Sequence, residues 1–100
     1  NGQRCKELKI IYVNDDIKEK FLKKFSQAVD ELKYGNPWEK NVILTPLPEP
    51  NKPSYIKSLI SDAEEKGAKI INEKGGIHCE NYVYTAVLFP VSKDMKVYKE

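Results

Sequence analysis

"LKIIYVNDDIKEKFLKKFSQAVDELKYG", residues 8–35, decides the architecture. Leu8, Ile10, Ile11, Tyr12 and Val13 form a short apolar run rich in β-branched residues, and it predicts a buried strand. Lys6, Glu7 and Lys9 mark its wet start. Asn14, Asp15 and Asp16 then offer a helix cap and first-turn acids that suit the helix dipole. Ile17, Phe21, Phe25, Ala28, Val29 and Leu32 recur mostly three and four residues apart, the stripe of an amphipathic helix. Gly35 is expected to cap its C-terminus, and Pro37 blocks its continuation. A strand that feeds a helix in this way opens an α/β fold.

Downstream, residues 36–53 carry Pro37, Pro46, Pro48, Pro50 and Pro53, so they predict an extended connector. Trp38, Val42, Ile43, Leu44 and Leu47 within it imply that it lies against a surface, because a free linker is more polar. A second helix is expected from Lys52 to Lys66, with Pro53 tolerated in its first turn. Ile56, Leu59, Ile60 and Ala63 form its buried face, and Gly67 closes it. "AKII" (68–71) reads as a short strand, Gly75-Gly76 as a loop, and "YVYTAVLF" (82–89) as a strand that Pro90 ends. The two strands are too close in sequence for a helical crossover, which predicts an antiparallel pair. "DMKVYKE" (94–100) carries no cap or turn signal. The expected order is β-α-α-β-β. The expected core is Ile10, Ile11, Val13, Phe21, Phe25, Val29, Ile56, Leu59, Ile60, Ile70, Val83 and Val87.

One hundred residues and 11.5 kDa bound the chain to one domain, and 40 % hydrophobic residues are too many for a disordered one. The net charge of +2 comes from lysines spread along the chain. They form no basic stripe with stacking aromatics, so no nucleic-acid partner is expected. Neither an 18-residue apolar window nor a charged-then-apolar leader is present, so no membrane partner is expected either. Two cysteines make no disulfide framework, which favours reduced thiols and a cytoplasmic setting.

Most chemistry-bearing residues have an ordinary reading. His78-Cys79 offers a Cys-His pair or two ligands, but adjacent residues rarely converge on one metal, and loop residues are the simpler reading. Glu64-Glu65 reads as a solvated helix face, Gly75-Gly76 as a turn, and Trp38 and Tyr55 as packing groups. "GQRC" (2–5) remains. It puts Arg4, the chain's one arginine, beside Cys5. A thiol is a useful nucleophile when partly ionised, and a neighbouring cation favours that form. On spacing alone, a free cysteine beside a solvent-facing arginine is the simpler reading.

"NGQRC" resembles the nucleophile motif of the aldehyde dehydrogenase superfamily, in which Gly-Gln-any-Cys presents the catalytic thiol. "YGNPWEKN" (34–41), the proline connector, "AEEKGAKII" (63–71), the Gly-Gly loop, the aromatic strand and "DMKVYKE" follow in the superfamily's order and cover essentially the whole chain. "GQRC", "LTPLPEP" (44–50) and "YTAVLFPVSKDMKVYKE" (84–100) resemble the non-phosphorylating, NADP-dependent glyceraldehyde-3-phosphate dehydrogenases. Other semialdehyde dehydrogenases share "GQRC". Lys6 and Glu7 depart from the pattern, which has small, apolar or threonine residues after the nucleophile. Thr85 departs too, where the family's strand usually has proline.

The resemblance implies that residues 1–100 are the nucleophile-bearing part of a catalytic domain. It implies that Cys5 attacks an aldehyde, that hydride passes to NADP or NAD, and that water releases the acid from a thioester. Arg4 would bind the phosphate of glyceraldehyde 3-phosphate. The cofactor domain, the general-base glutamate and the oxyanion-hole asparagine would lie upstream. Past Glu100 the family continues with a second glutamate and a Phe-Gly-Pro motif. The parent enzyme would be a homo-oligomer, and these residues alone would bind no cofactor. The alternatives are another semialdehyde dehydrogenase, a small peptide-binding module and an inactive interaction fragment.

Overall fold

Asn14 starts the helical part of the chain. In the computed structural model, which describes residues 5–100, its side chain accepts from the Asp16 N–H at 2.9 Å and caps a short 3-10 turn, Asp15–Ile17. Helix α1 (Lys18–Asp30) follows directly. Its apolar stripe faces inward in part: Val29 is buried and Phe21 and Phe25 are half-buried with their rings stacked at 5.4 Å, whereas Ile17 and Ala28 are exposed. The helix ends before the expected cap. Glu31 is the C-cap, and the Gly35 N–H instead bonds the Leu44 carbonyl oxygen at 3.1 Å, beside a parallel bridge between Tyr34 and Leu44.

Ahead of α1, residues 7–14 form no regular element, and no described segment pairs with them. The expected buried strand is therefore corrected. Leu8 is 85 % exposed, Tyr12 and Ile11 are exposed, and only Ile10 and Val13 are half-buried. A strand needs a ladder on its edges and cover on its faces. The described residues supply this run with neither in full, so Ile11 drops out of the core.

The connector also departs from expectation. Leu47 is buried, its N–H bonded to the Asn81 carbonyl oxygen at 2.8 Å, whereas Trp38 is 81 % exposed and Ile43 is exposed as well. Helix α2 (Lys52–Glu65) begins with Pro53 in its first turn and buries Ile60 and Ala63. Gly67 ends it at φ +104°, and the Ala68 N–H reaches back to the Ala63 carbonyl oxygen at 2.9 Å. That left-handed position favours glycine.

Strand β1 (Lys69–Ile70) pairs antiparallel with β4 (Leu88–Phe89), the sense expected, although residues 71–87 lie between them, a longer connection than the expectation assumed. The single aromatic strand expected over 82–89 is divided. Its first part, β3 (Tyr82–Val83), forms a hairpin with β2 (His78–Cys79). The divider is Asn72, 4 % exposed. Its carboxamide donates to the Thr85 carbonyl oxygen and accepts the Val87 N–H, both at 2.8 Å, so a side chain stands where a strand would pair. Gly75 closes this loop because a Cβ there would come within 2.5 Å of Ile70 Cγ2.

The C-terminal stretch forms helix α3 (Lys96–Lys99), for which the sequence carries no cap or turn signal. Met95, 1 % exposed, packs with Ala63 and Ala68 against Leu88 and Val97, and the core centres there. Asp62 of α2 accepts the Lys96 N–H at 2.8 Å and so caps α3. No helix among the described residues is long and apolar enough to cross a membrane.

Candidate active site

Cys5 sits in a turn with Lys6 at the head of the irregular run 7–14, exposed and not in a disulfide. An exposed thiol can be approached by a small electrophile. Arg4, the expected phosphate ligand, lies outside the described residues. No described side chain hydrogen-bonds the Cys5 thiol, and no three His, Cys, Asp or Glu among the described residues group as a metal site. His78 and Cys79 pair across the exposed β2–β3 hairpin with Val83 and Tyr82, as ordinary hairpin residues. Glu64 and Glu65 are exposed on α2. Trp38 is not the packing group expected of it.

Two clefts flank the run that leads from Cys5. The larger, about 650 Å³, lies between Lys9 and Ile10, the face of α2 at Ile56, Leu59 and Ile60, and residues 83–88. Its polar rim is Lys9, Lys52, Tyr55 and Glu100. There the Tyr55 hydroxyl donates to Glu100 Oε2 at 2.7 Å. That bond to a carboxylate holds the phenol above its ordinary pKa, with burial and the Glu100 charge adding in the same direction. The smaller cleft, about 280 Å³, lies between Leu8, Ile11 and Val13 and the α1 face of Phe21, Phe25 and Val29. Cys5 lines neither cleft. Tyr12 meets Tyr98 of α3 hydroxyl to hydroxyl at 3.2 Å, which tethers the run to the C-terminal helix.

Sequence reasoning missed the polar cluster that holds the floor of these clefts. The Asp30 carboxylate accepts from Asn72 Nδ2 at 2.8 Å, the Glu73 N–H at 3.0 Å and the Lys74 N–H at 3.4 Å. A signal was present, since an acid in the last turn of a helix opposes the dipole and needs donors from elsewhere. The Tyr34 hydroxyl accepts the Thr85 N–H at 2.6 Å and donates to Thr85 Oγ1 at 3.1 Å. A proline at position 85 has no N–H to give.

The described residues do not fit a dinucleotide. A pyrophosphate needs free N–H groups at a helix start and glycines that let it approach. Asp15 and Asp16 crowd the start of the α1 segment, and the Asn14 side chain already holds the Asp16 N–H. In α2, the Tyr55 N–H is bonded to the Asn51 carbonyl oxygen, and Pro53 has none. Gly75 is packed against Ile70 and Asn72.

Residues 1–100 match the aldehyde dehydrogenase family. The NADP-dependent glyceraldehyde-3-phosphate dehydrogenase of Streptococcus equinus is 39 % identical over 99 residues, covering 97 % of this chain and 20 % of that enzyme. The glutarate-semialdehyde dehydrogenase of Pseudomonas putida is 36 % identical over 101 residues, covering 100 % of this chain and 21 % of that enzyme. Among solved structures, aldehyde dehydrogenase 21 from Physcomitrella patens, in complex with the reaction product succinate, superposes with a TM-score of 0.90. It is 27 % identical, over 99 % of this chain and 20 % of that one. The chain thus spans about one fifth of the length of these three relatives.

Proposed function

The chain belongs to the aldehyde dehydrogenase family, and on that premise we propose that it is the nucleophile-bearing part of an NAD(P)-dependent aldehyde dehydrogenase whose substrate is glyceraldehyde 3-phosphate. The observation that carries this reading is the exposed, unpaired thiol of Cys5 in the family's Gly-Gln-any-Cys motif. The thiolate sulfur bonds to the aldehyde carbon, and the carbonyl π pair moves to oxygen. Backbone N–H groups at the turn are suited to that oxyanion. The nicotinamide cofactor supplies a hydride acceptor when bound, and its seat is made by residues other than those described. Arg4 takes the phosphate, since a guanidinium fork matches its oxygens in pairs.

A second reading is a carboxylate-bearing semialdehyde as substrate, favoured by the similarity to the glutarate-semialdehyde dehydrogenase. Arg4 serves a carboxylate equally well. The test is made in the complete enzyme. Cys5→Ser abolishes aldehyde oxidation, and Cys79→Ser leaves it nearly intact; the reverse pattern overturns the assignment. In the same assay, Arg4→Leu lowers kcat/KM for glyceraldehyde 3-phosphate by about ten- to a hundred-fold, the scale of one hydrogen bond to a charged group. It spares unphosphorylated glyceraldehyde.

A further inference from the structure

The run that leads from Cys5 is loosely held. No backbone N–H or C=O group of residues 8–13 bonds another described residue. Ile10 and Val13 are half-buried, while Leu8, Ile11 and Tyr12 are exposed. Among the described residues, one hydrogen bond ties this run to another element: the Tyr12 hydroxyl meets the Tyr98 hydroxyl of α3 at 3.2 Å. Tyr98 stands on a firmer base. The Asp62 carboxylate of α2 accepts the Lys96 N–H at 2.8 Å, and the Tyr55 hydroxyl donates to Glu100 Oε2 at 2.7 Å. Just ahead of α3, Lys66 Nζ donates to the Asp94 carbonyl oxygen at 2.9 Å, and Met95 is buried. The tether thus joins a fixed helix to a segment with few buried contacts and no ladder. Such a segment opens locally at low cost, so a single bond is a sizeable share of what fixes it.

We propose that Tyr12 and Tyr98 are positioning residues: their hydroxyl pair fixes the run whose head is Cys5, so that α3 helps to set where the thiol stands. The inference rests on Cys5 being the nucleophile of an aldehyde oxidation. Neither phenol hydrogen-bonds the sulfur, and both act through the chain between. Ile10 lines the larger cleft and Val13 the smaller, so Tyr12 anchors the run where it passes between the two. Apolar contacts of this kind resist lifting more than sliding, whereas a hydrogen bond is directional and adds a fixed point along the run. Placement matters because a displacement of about 1 Å at a reacting group can cost a hundred-fold in rate. Losing the tether lowers the fraction of molecules whose thiol is in reach of the aldehyde carbon. It removes no group that binds the aldehyde, so the loss falls on the rate and not on substrate affinity.

The experiment uses the complete enzyme with whichever of glyceraldehyde 3-phosphate and succinate semialdehyde it oxidises faster. Tyr12→Phe, Tyr98→Phe and the double variant keep the rings and remove the hydroxyls. Each single change is expected to lower the single-turnover rate of cofactor reduction about five-fold, the scale of one neutral hydrogen bond. The half-saturating aldehyde concentration should stay within about two-fold. The double variant should lose no more than either single one, because both remove the same bond. Alkylation of Cys79 serves as the control for the fold and should run at the wild-type rate in all three variants. Losses that multiply in the double variant, a loss confined to aldehyde affinity, no loss in either single variant, or a faster Cys79 reaction overturns the proposal. A Cys5→Ser enzyme that still oxidises the aldehyde takes down the nucleophile reading, and the proposal with it.

Discussion

Asn72 shows how much of this fold one side chain organises. It gives one N–H bond to Asp30 and one to the Thr85 carbonyl oxygen, and it receives the buried Val87 N–H. Cutting it back to alanine leaves that N–H and part of the Asp30 carboxylate without partners. Asn72→Ala should therefore cost about 2 kcal/mol or more, seen as a lower denaturant midpoint of the complete protein. Asn72→Asp should cost more at neutral pH, because a second carboxylate then faces Asp30. Its deficit should shrink on acidification, as a protonated carboxyl donates again. A deficit that does not change with pH would mean that Asp30 does not feel position 72. The sequence shows only that Asp30, in the last turn of its helix, needs donors from elsewhere; that Asn72 supplies one was not legible, because the two lie 42 positions apart and neither residue type announces its partner. Cys5, by contrast, is proposed as the nucleophile on a four-residue motif.

At the scale of elements, the sequence spoke where the causes are local. Helices α1 and α2 were readable because their stripes and the Asn14, Pro53 and Gly67 signals lie within or beside the segments themselves. The antiparallel sense of the β1–β4 pair was expected, but its partner segment lies at the far end of the aromatic run, beyond the short loop that the expectation used. The strand expected over residues 8–13 was not realised, because a ladder needs a partner that local pattern does not supply. Helix α3 went unseen for a related reason. Four residues cannot hold a helix alone. Docking of Met95 and the cap from Asp62 hold it. The Lys96 N–H draws the Asp62 carboxyl below its ordinary pKa, burial opposes that, and Lys66 adds to it at 3.1 Å. A depressed carboxylate stabilises the fold above its unfolded value near about pH 4, and its contribution fades as pH falls through the folded value. Asp62→Ala should thus lower the amide protection factors over Lys96–Glu100 at neutral pH, and those of the variant should no longer fall on acidification. Wild-type protection factors that do not change on acidification would break the link.

For the molecule as a whole, the balance is set by apolar surface left uncovered. Leu8, Ile11, Ile17, Trp38, Ile43 and Ile77 are exposed, and the two clefts are walled mainly by aliphatic and aromatic side chains. Contiguous apolar surface of this kind drives association. The 100-residue chain on its own is expected to self-associate as its concentration rises, which sedimentation velocity would report. It is also expected to bind no NADP and to oxidise no aldehyde, since the described residues offer no dinucleotide seat. A monomer at every concentration, or steady NADPH production, would contradict these expectations.

The contact between Tyr34 and Thr85 makes the best residue at one position depend on the other. Beside a proline, the tyrosine hydroxyl loses the backbone N–H it now accepts and can turn to water, since Tyr34 is only half-buried. Beside Thr85, the same hydroxyl takes up both the N–H and the Oγ1. Tyrosine is thus tolerable with either neighbour, whereas threonine is best served once tyrosine is in place. The two sites are therefore coupled: Tyr34→Phe should cost more stability in the protein as it stands than in a background already carrying Thr85→Pro.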